Sequence, residues 1–264
     1  MKKHYLLTAI AVASTTVFST SKLFADSAAA IEGDASGTLV TYDNASGAYP
    51  IVTAILSVGG QTLNGFTYSA SKYAFLAQDS TGSLDVFGAL PAGSFTPTVG
   101  DGVSIAGTYS PFDGLAEIET ITSATLESSG NTAPSAKLET IAGIGTGATL
   151  PEDLNGFLIQ IDNITISGQT AGETFGIGDV AFTMNDGTGS MSLFYDPTSY
   201  SVSNQNLFGE TIPTGLSDVT GVLEIFDNAP EFVPLDITPV PEPTTLSLCA
   251  VGGLLTLALR RRKS

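Results

Sequence analysis

The chain has 264 residues, room for one large or two small domains, with a formal charge of −17 and only 13% charged residues. The charge is unevenly spread: between Ser27 and Val240 stand 24 acids against two lysines, Lys72 and Lys137, a net of −22. That interval holds no His and no Cys, the single copies being His4 and Cys249, so Ser-His-Asp and Cys-His catalysis, His/Cys zinc sites and internal disulfides are excluded there, and long-range repulsion disfavours a nucleic-acid partner.

The N-terminus begins Met-Lys-Lys-His and continues through an apolar stretch from Tyr5 to Phe18 to a small residue at Ala25. A basic start, a short apolar centre and a small-residue end predict a secretory signal peptide over residues 1–25. The body is therefore expected outside the cytoplasm.

From residue 34 the hydrophobic period is two. Ile51–Val58, Leu84–Phe87, Val103–Ala106 and Glu117–Ile121 predict short strands, with Gly, Asn, Asp and Ser between them. Phe157–Ile161, Ile164–Ile166, Met191–Phe194 and Val222–Phe226 continue the pattern. A short helix is expected near Lys137–Ile144. Glu117 and Glu119 share one strand face, which reads as a solvated face.

The body contains an internal repeat. Gln-Asp-Ser-Thr-Gly-Ser-Leu-Asp-Val-Phe (78–87) aligns with Asn-Asp-Gly-Thr-Gly-Ser-Met-Ser-Leu-Phe (185–194). Further on, Gly107–Gly114 aligns with Gly221–Asn228, each reaching a Phe-Asp turn followed by Gly or Asn, residues that tolerate positive φ. The repeat predicts a mainly β fold of two tandem domains, 34–128 and 149–238. Ser, Gly, Thr, Ala and Pro make 129–148 read as a linker. A single β-sandwich over the whole body is the competing architecture.

The residues Gln78–Gly82 and Gly100–Thr108 resemble the small OB-like β-barrels found in tandem in secreted bacterial proteins. The resemblance implies two five-stranded barrels. It does not bring the enzymatic partners of such modules, whose catalytic domain and histidines have no place here. In such barrels ligands meet the exposed strands and nearby loops. Phe66, Tyr68 and Tyr73 are the aromatic candidates, either as barrel filling or as a carbohydrate-stacking face. Asp79 and Asp186 occupy equivalent turns, either as turn formers or as Ca²⁺ ligands, since carboxylates and hydroxyls suit a hard cation. Lys137 lies near Ser135, but no Gly-rich elbow surrounds the pair. No catalytic residues are assigned, and the body is read as non-enzymatic.

The C-terminal segment 240–264 carries Pro241-Glu242-Pro243, an uncharged run to Leu259, then Arg260, Arg261, Arg262 and Lys263. Seventeen helical residues would reach about 25 Å, close to a hydrocarbon core of ~30 Å, and the terminal cations fix the cytoplasmic side. Pro-Glu-Pro, an apolar helix and a basic cluster, in that order, resemble the PEP-CTERM sorting signal of Gram-negative bacteria. The resemblance implies recognition of Pro241, Glu242 and Pro243 by an exosortase, a membrane protease-transpeptidase. It further implies a transient inner-membrane anchor, then a surface or matrix location beside extracellular polysaccharide.

Overall fold

The structure is a computed structural model that describes residues 25–241, except 61, 64, 65, 68–70, 113, 148–150, 152, 153, 177–179, 198–205 and 227. The predicted signal peptide, except Ala25, and the apolar and basic parts of the tail lie outside the described residues. Among the described residues no helix is long and apolar enough to cross a membrane.

The first barrel follows a five-residue helix, α1 (Ala28–Glu32). Its strands are β1 (Leu39–Tyr42), β2 (Ile51–Ser57), β5 (Tyr73–Gln78), β6 (Ser83–Gly88), β7 (Gly102–Tyr109) and β8 (Glu117–Ser128). A separate two-stranded ribbon, β3 (Thr62–Leu63) with β4 (Phe66–Thr67), sits between β2 and β5. The sheet order is β1-β7-β2-β5-β6-β8, and β7 also pairs with β8. That last pairing closes five strands into a barrel, with β6 and β8 parallel and the other pairs antiparallel.

The second barrel has β9 (Lys137–Glu139), α2 (Ile141–Ile144), β10 (Ile159–Ser167), β11 (Val180–Asn185), β12 (Ser190–Tyr195), β13 (Ser217–Phe226) and β14 (Ala229–Pro239). The order is β11-β12-β14-β13-β10-β9, closed by β10–β11. Within the five closed strands β12 and β14 are the parallel pair, and β9 adds a second parallel pairing outside the ring, to β10. The chain thus traces the same OB-like path twice. Besides the β3–β4 ribbon, the two paths diverge at the first barrel strand. In the second barrel β10 pairs with β13 in its first half and with β11 in its last. In the first barrel these two jobs are split between β1, which pairs with β7, and β2, which pairs chiefly with β5.

The alternation read from sequence sets which side chains fill each barrel. Val52, Phe75, Ala77, Leu84, Val86, Val103, Ile105 and Ile118 form the first core. Ile159, Ile161, Ile164, Met184, Leu193, Val219 and Phe232 belong to the second. The stretch 129–148 corrects the linker assignment. It carries β9, parallel to β10, and α2, whose Ile141 and Ile144 are buried in the second core. Its Gly- and Ser-rich composition reflects tight turns around a short capped helix. The helix expected over Lys137–Ile144 is likewise half strand.

The two barrels share an apolar interface. Strands expose alternate residues to opposite faces, so Ala74 and Leu76 of β5 point away from the first core. They pack with Ala54 and Leu56 against Val222 and Val233 of the second barrel, flanked by Phe87, Leu158, Phe194 and Leu235. Leu115, at the β7–β8 hairpin, belongs to the core of the second barrel. Polar clamps border this contact. Ser83 Oγ donates to the Gly156 carbonyl at 2.7 Å. The Asn155 side chain accepts from the Ala116 amide at 3.0 Å and donates to the Gly114 carbonyl at 2.8 Å.

Candidate functional site

The two repeat turns are built alike and each does two jobs. Asp79 Oδ1 accepts from the Thr81 amide, the Thr81 hydroxyl and the Gly82 amide, at 2.7, 2.7 and 3.0 Å. Its Oδ2 accepts from the Ala28 amide, and Thr81 Oγ1 accepts from Ala29, at the first turn of α1. Asp186 repeats this with Thr188, Gly189, Ile141 and Ala142. The first amides of a helix have no partner within it. In both barrels an Asp-x-Thr-Gly turn supplies that partner from another part of the chain. Burial pushes the Asp186 carboxyl up, but the bonds from Ile141, Thr188 and Gly189 outweigh it and hold the group below the usual carboxylate range.

These carboxylates are therefore engaged with protein donors. Among the described residues no group of three or more His, Cys, Asp or Glu stands together as a metal site. A cleft of about 550 Å³ lies beside the first turn, lined by Gln78, Ser80, Thr81, Glu32, Lys137 and Phe157. One of about 390 Å³ lies beside the second, lined by Glu139, Asp162, Asn163 and Asp186. The first cleft is lined from both barrels, with Glu32 and residues 78–82 from the first and Lys137 and Phe157 from the second. The Lys137 ammonium sits 3.5 Å from the centre of the Phe157 ring and covers that aromatic face.

Of the aromatic candidates, Tyr73 is half-buried and packs against the first core. The backbone of Phe66 pairs with Leu63 in the β3–β4 ribbon, while its side chain and the whole of Tyr68 lie outside the described residues.

Sequence reading missed a set of acids at the seam between the barrels. Glu117 is buried, not solvated. The parallel β6–β8 register places it beside Asp85, which is also buried. Asp85 pairs in register with Leu76, on the face that meets the second barrel. Glu224 and Glu231, register partners on β13 and β14, lie two residues from Val222 and Val233 on that barrel's apposed face. Asp85 Oδ1 has no hydrogen-bond partner among the described residues. Burial, then the charges of Glu117 and Glu224, push the Asp85 carboxyl well above its usual range. Glu117 is pushed up to about 7, by burial first and then by Glu119 and Glu224, with Lys72 drawing it partly back. The signal available in the sequence was the clash between acids and an otherwise alternating strand. It could not show that the outer face of one barrel is the inner face of a pair.

The sorting segment begins where the second barrel ends. β14 runs to Pro239, and the Val240 amide donates to the Leu216 carbonyl at 2.9 Å. Pro241 is exposed, and Glu242, Pro243, Arg260, Arg261, Arg262 and Lys263 lie outside the described residues.

Comparison with known proteins gives one family match, at the tail: residues 239–263 match the model of the PEP-CTERM protein-sorting motif. No curated protein matches the chain. Among solved structures, the tetrameric p202 HIN2 is similar at 13% identity and a TM-score of 0.35, covering 76% of this chain and 89% of that one. A murine DNA-binding protein bound to double-stranded DNA is similar at 11% identity and a TM-score of 0.35, covering 72% and 99%. The p204 HINb domain is similar at 9% identity and a TM-score of 0.35, covering 76% and 94%. Residues 239–263 are thus a PEP-CTERM sorting motif, the signal by which an exosortase recognises its exported substrates.

Proposed function

We propose that this chain is a non-enzymatic protein of the outer cell surface or extracellular matrix of a Gram-negative bacterium, associated there with extracellular polysaccharide. The observation that carries the reading is the sorting motif joined directly to a folded, acidic body. The body contributes a pair of barrels with few titrating groups other than carboxylates. A net of −22 over residues 27–240 keeps its Gly- and Thr-rich surface soluble. Ser-His or Cys-His chemistry has no residues there to use.

The test follows the tail and the body separately. Replacing Pro241, Glu242 and Pro243 with Ala is expected to leave the full-length precursor in the inner membrane of cells with an active exosortase. Normal processing of that variant would overturn the sorting assignment. The native chain is expected to co-purify with the polysaccharide fraction and to shift to the medium in cells that lack the polymer. Indifference to the polymer would remove the matrix role.

A second reading, carbohydrate binding, is supported by the 550 Å³ cleft, whose rim carries amide, hydroxyl and charged groups. A glycan array is the measurement, and binding lost on Gln78→Ala is the expected result.

A further inference from the structure

The seam between the barrels buries acids against acids. Asp85 and Glu117 come from β6 and β8 of the first barrel, and Glu224 and Glu231 from β13 and β14 of the second. Asp85, Glu117 and Glu231 are all buried, and Glu224 and Glu119 are half-buried. Lys72 acts on Glu117, and its ammonium lies 4.5 Å from the centre of the Phe87 ring at the edge of the same apolar contact. One ammonium cannot neutralise several carboxylates. Ionising two of them leaves unbalanced charge in a buried contact, which is relieved by water entry or separation. The Asn155 clamp stands next in the chain to Glu117, since it holds the Ala116 amide. Separation at the acids would therefore pull directly on a clamp.

We propose that this seam is a pH-sensitive latch, closed while Asp85 and Glu117 carry protons and loosened when both ionise. The direction follows from linkage. A carboxyl whose value is raised in the closed state binds its proton there more tightly than when exposed. The closing energy is then fully present below the ordinary value, 4.5 for Glu117, and is lost as pH rises to about 7. Asp85 titrates in the same direction. A body of this kind is compact in an acidic matrix and more open in neutral medium. The inference uses only the packing of the body and stands apart from how the tail is processed.

The measurement is amide hydrogen exchange of the full chain in detergent micelles, corrected for the intrinsic pH dependence, at pH 5 and pH 8. Protection of residues 114–119 and 222–233 is expected to fall on the order of 100-fold across that range. Protection of Val103–Ala106, inside the first barrel, is expected to hold. The pair Asp85→Asn and Glu117→Gln is expected to abolish the step, and Glu117→Gln alone to reduce it. Equal seam protection at both pH values in the native chain overturns the proposal. So does a Glu117→Gln variant that folds and retains the whole step.

Discussion

Asp186 accepts the Ile141 amide at 2.8 Å across 45 residues of chain, and so fastens the only turn of α2 to the β11–β12 hairpin. A helix of four residues has no stability of its own. It persists here because its first amides are satisfied and because Ile141 and Ile144 are buried. Asp186→Ala is expected to cost about 1–2 kcal/mol in denaturant unfolding, the usual size of a lost cap. Asp186→Asn is expected to cost less. The folded carboxyl lies below its ordinary 3.8, so its contribution is present above that value and lost as pH falls through the folded one. Between pH 6 and pH 3 the native chain should therefore lose more stability than Asp186→Asn does. Equal losses would remove the cap from the account.

Gly221 and Gly107 occupy the same place in the two barrels, each beside a register shift in its strand. A Cβ on Gly221 would meet the Val233 carbonyl oxygen and the Phe232 ring, and one on Gly107 would stand 2.7 Å from the Glu119 carbonyl oxygen. The backbone neighbours cannot yield without breaking the ladder. Gly221→Ala is expected to destabilise by about 3 kcal/mol or more, the scale of overpacking in a filled core. A melting curve checks it. A loss below roughly 1 kcal/mol would mean that the bulge absorbs the methyl.

Leu115 couples the halves more tightly than the repeat alone suggests. It sits in the β7–β8 hairpin of the first barrel but packs in the core of the second. Leu115→Ala is expected to cost about 2–4 kcal/mol by cavity formation. The loss should appear in one cooperative transition covering both barrels, and cleavage within 129–136 should leave two fragments that stay associated. Two separate transitions in calorimetry would show the barrels to be independent.

The sequence showed the β class, the doubling of the fold and the equivalence of Asp79 and Asp186, because each of these is local. Period-two alternation marked β2, β6, β7, β10, β12 and β13. The Phe-Asp turns marked both long hairpins, and Gly114 and Asn228 do adopt positive φ. What escaped was long-range. The cap from Asp79 to Ala28 spans 51 residues, and no local pattern encodes it. The burial of Glu117 depends on a second barrel covering an outer face. The role of 129–148 was hidden because short capped helices and linkers use the same small and polar residues.

The Ser217–Pro239 pair ends the β13–β14 ladder, and the Val240 amide is still held by Leu216. The motif's Pro-Glu-Pro triplet therefore starts at Pro241, one residue beyond the held Val240 amide. A membrane enzyme must reach this motif while a folded barrel stands against it. Inserting ten Gly and Ser residues after Val240 adds a reach of roughly 17 Å on the random-coil estimate. Precursor processing, followed by pulse-chase, is expected to become several-fold faster in that variant. Combining the insertion with Glu242→Ala is expected to stop processing, which separates access from recognition. An unchanged rate in the spaced variant would mean that the enzyme already accommodates the barrel, or that the end of β14 frays at no kinetic cost.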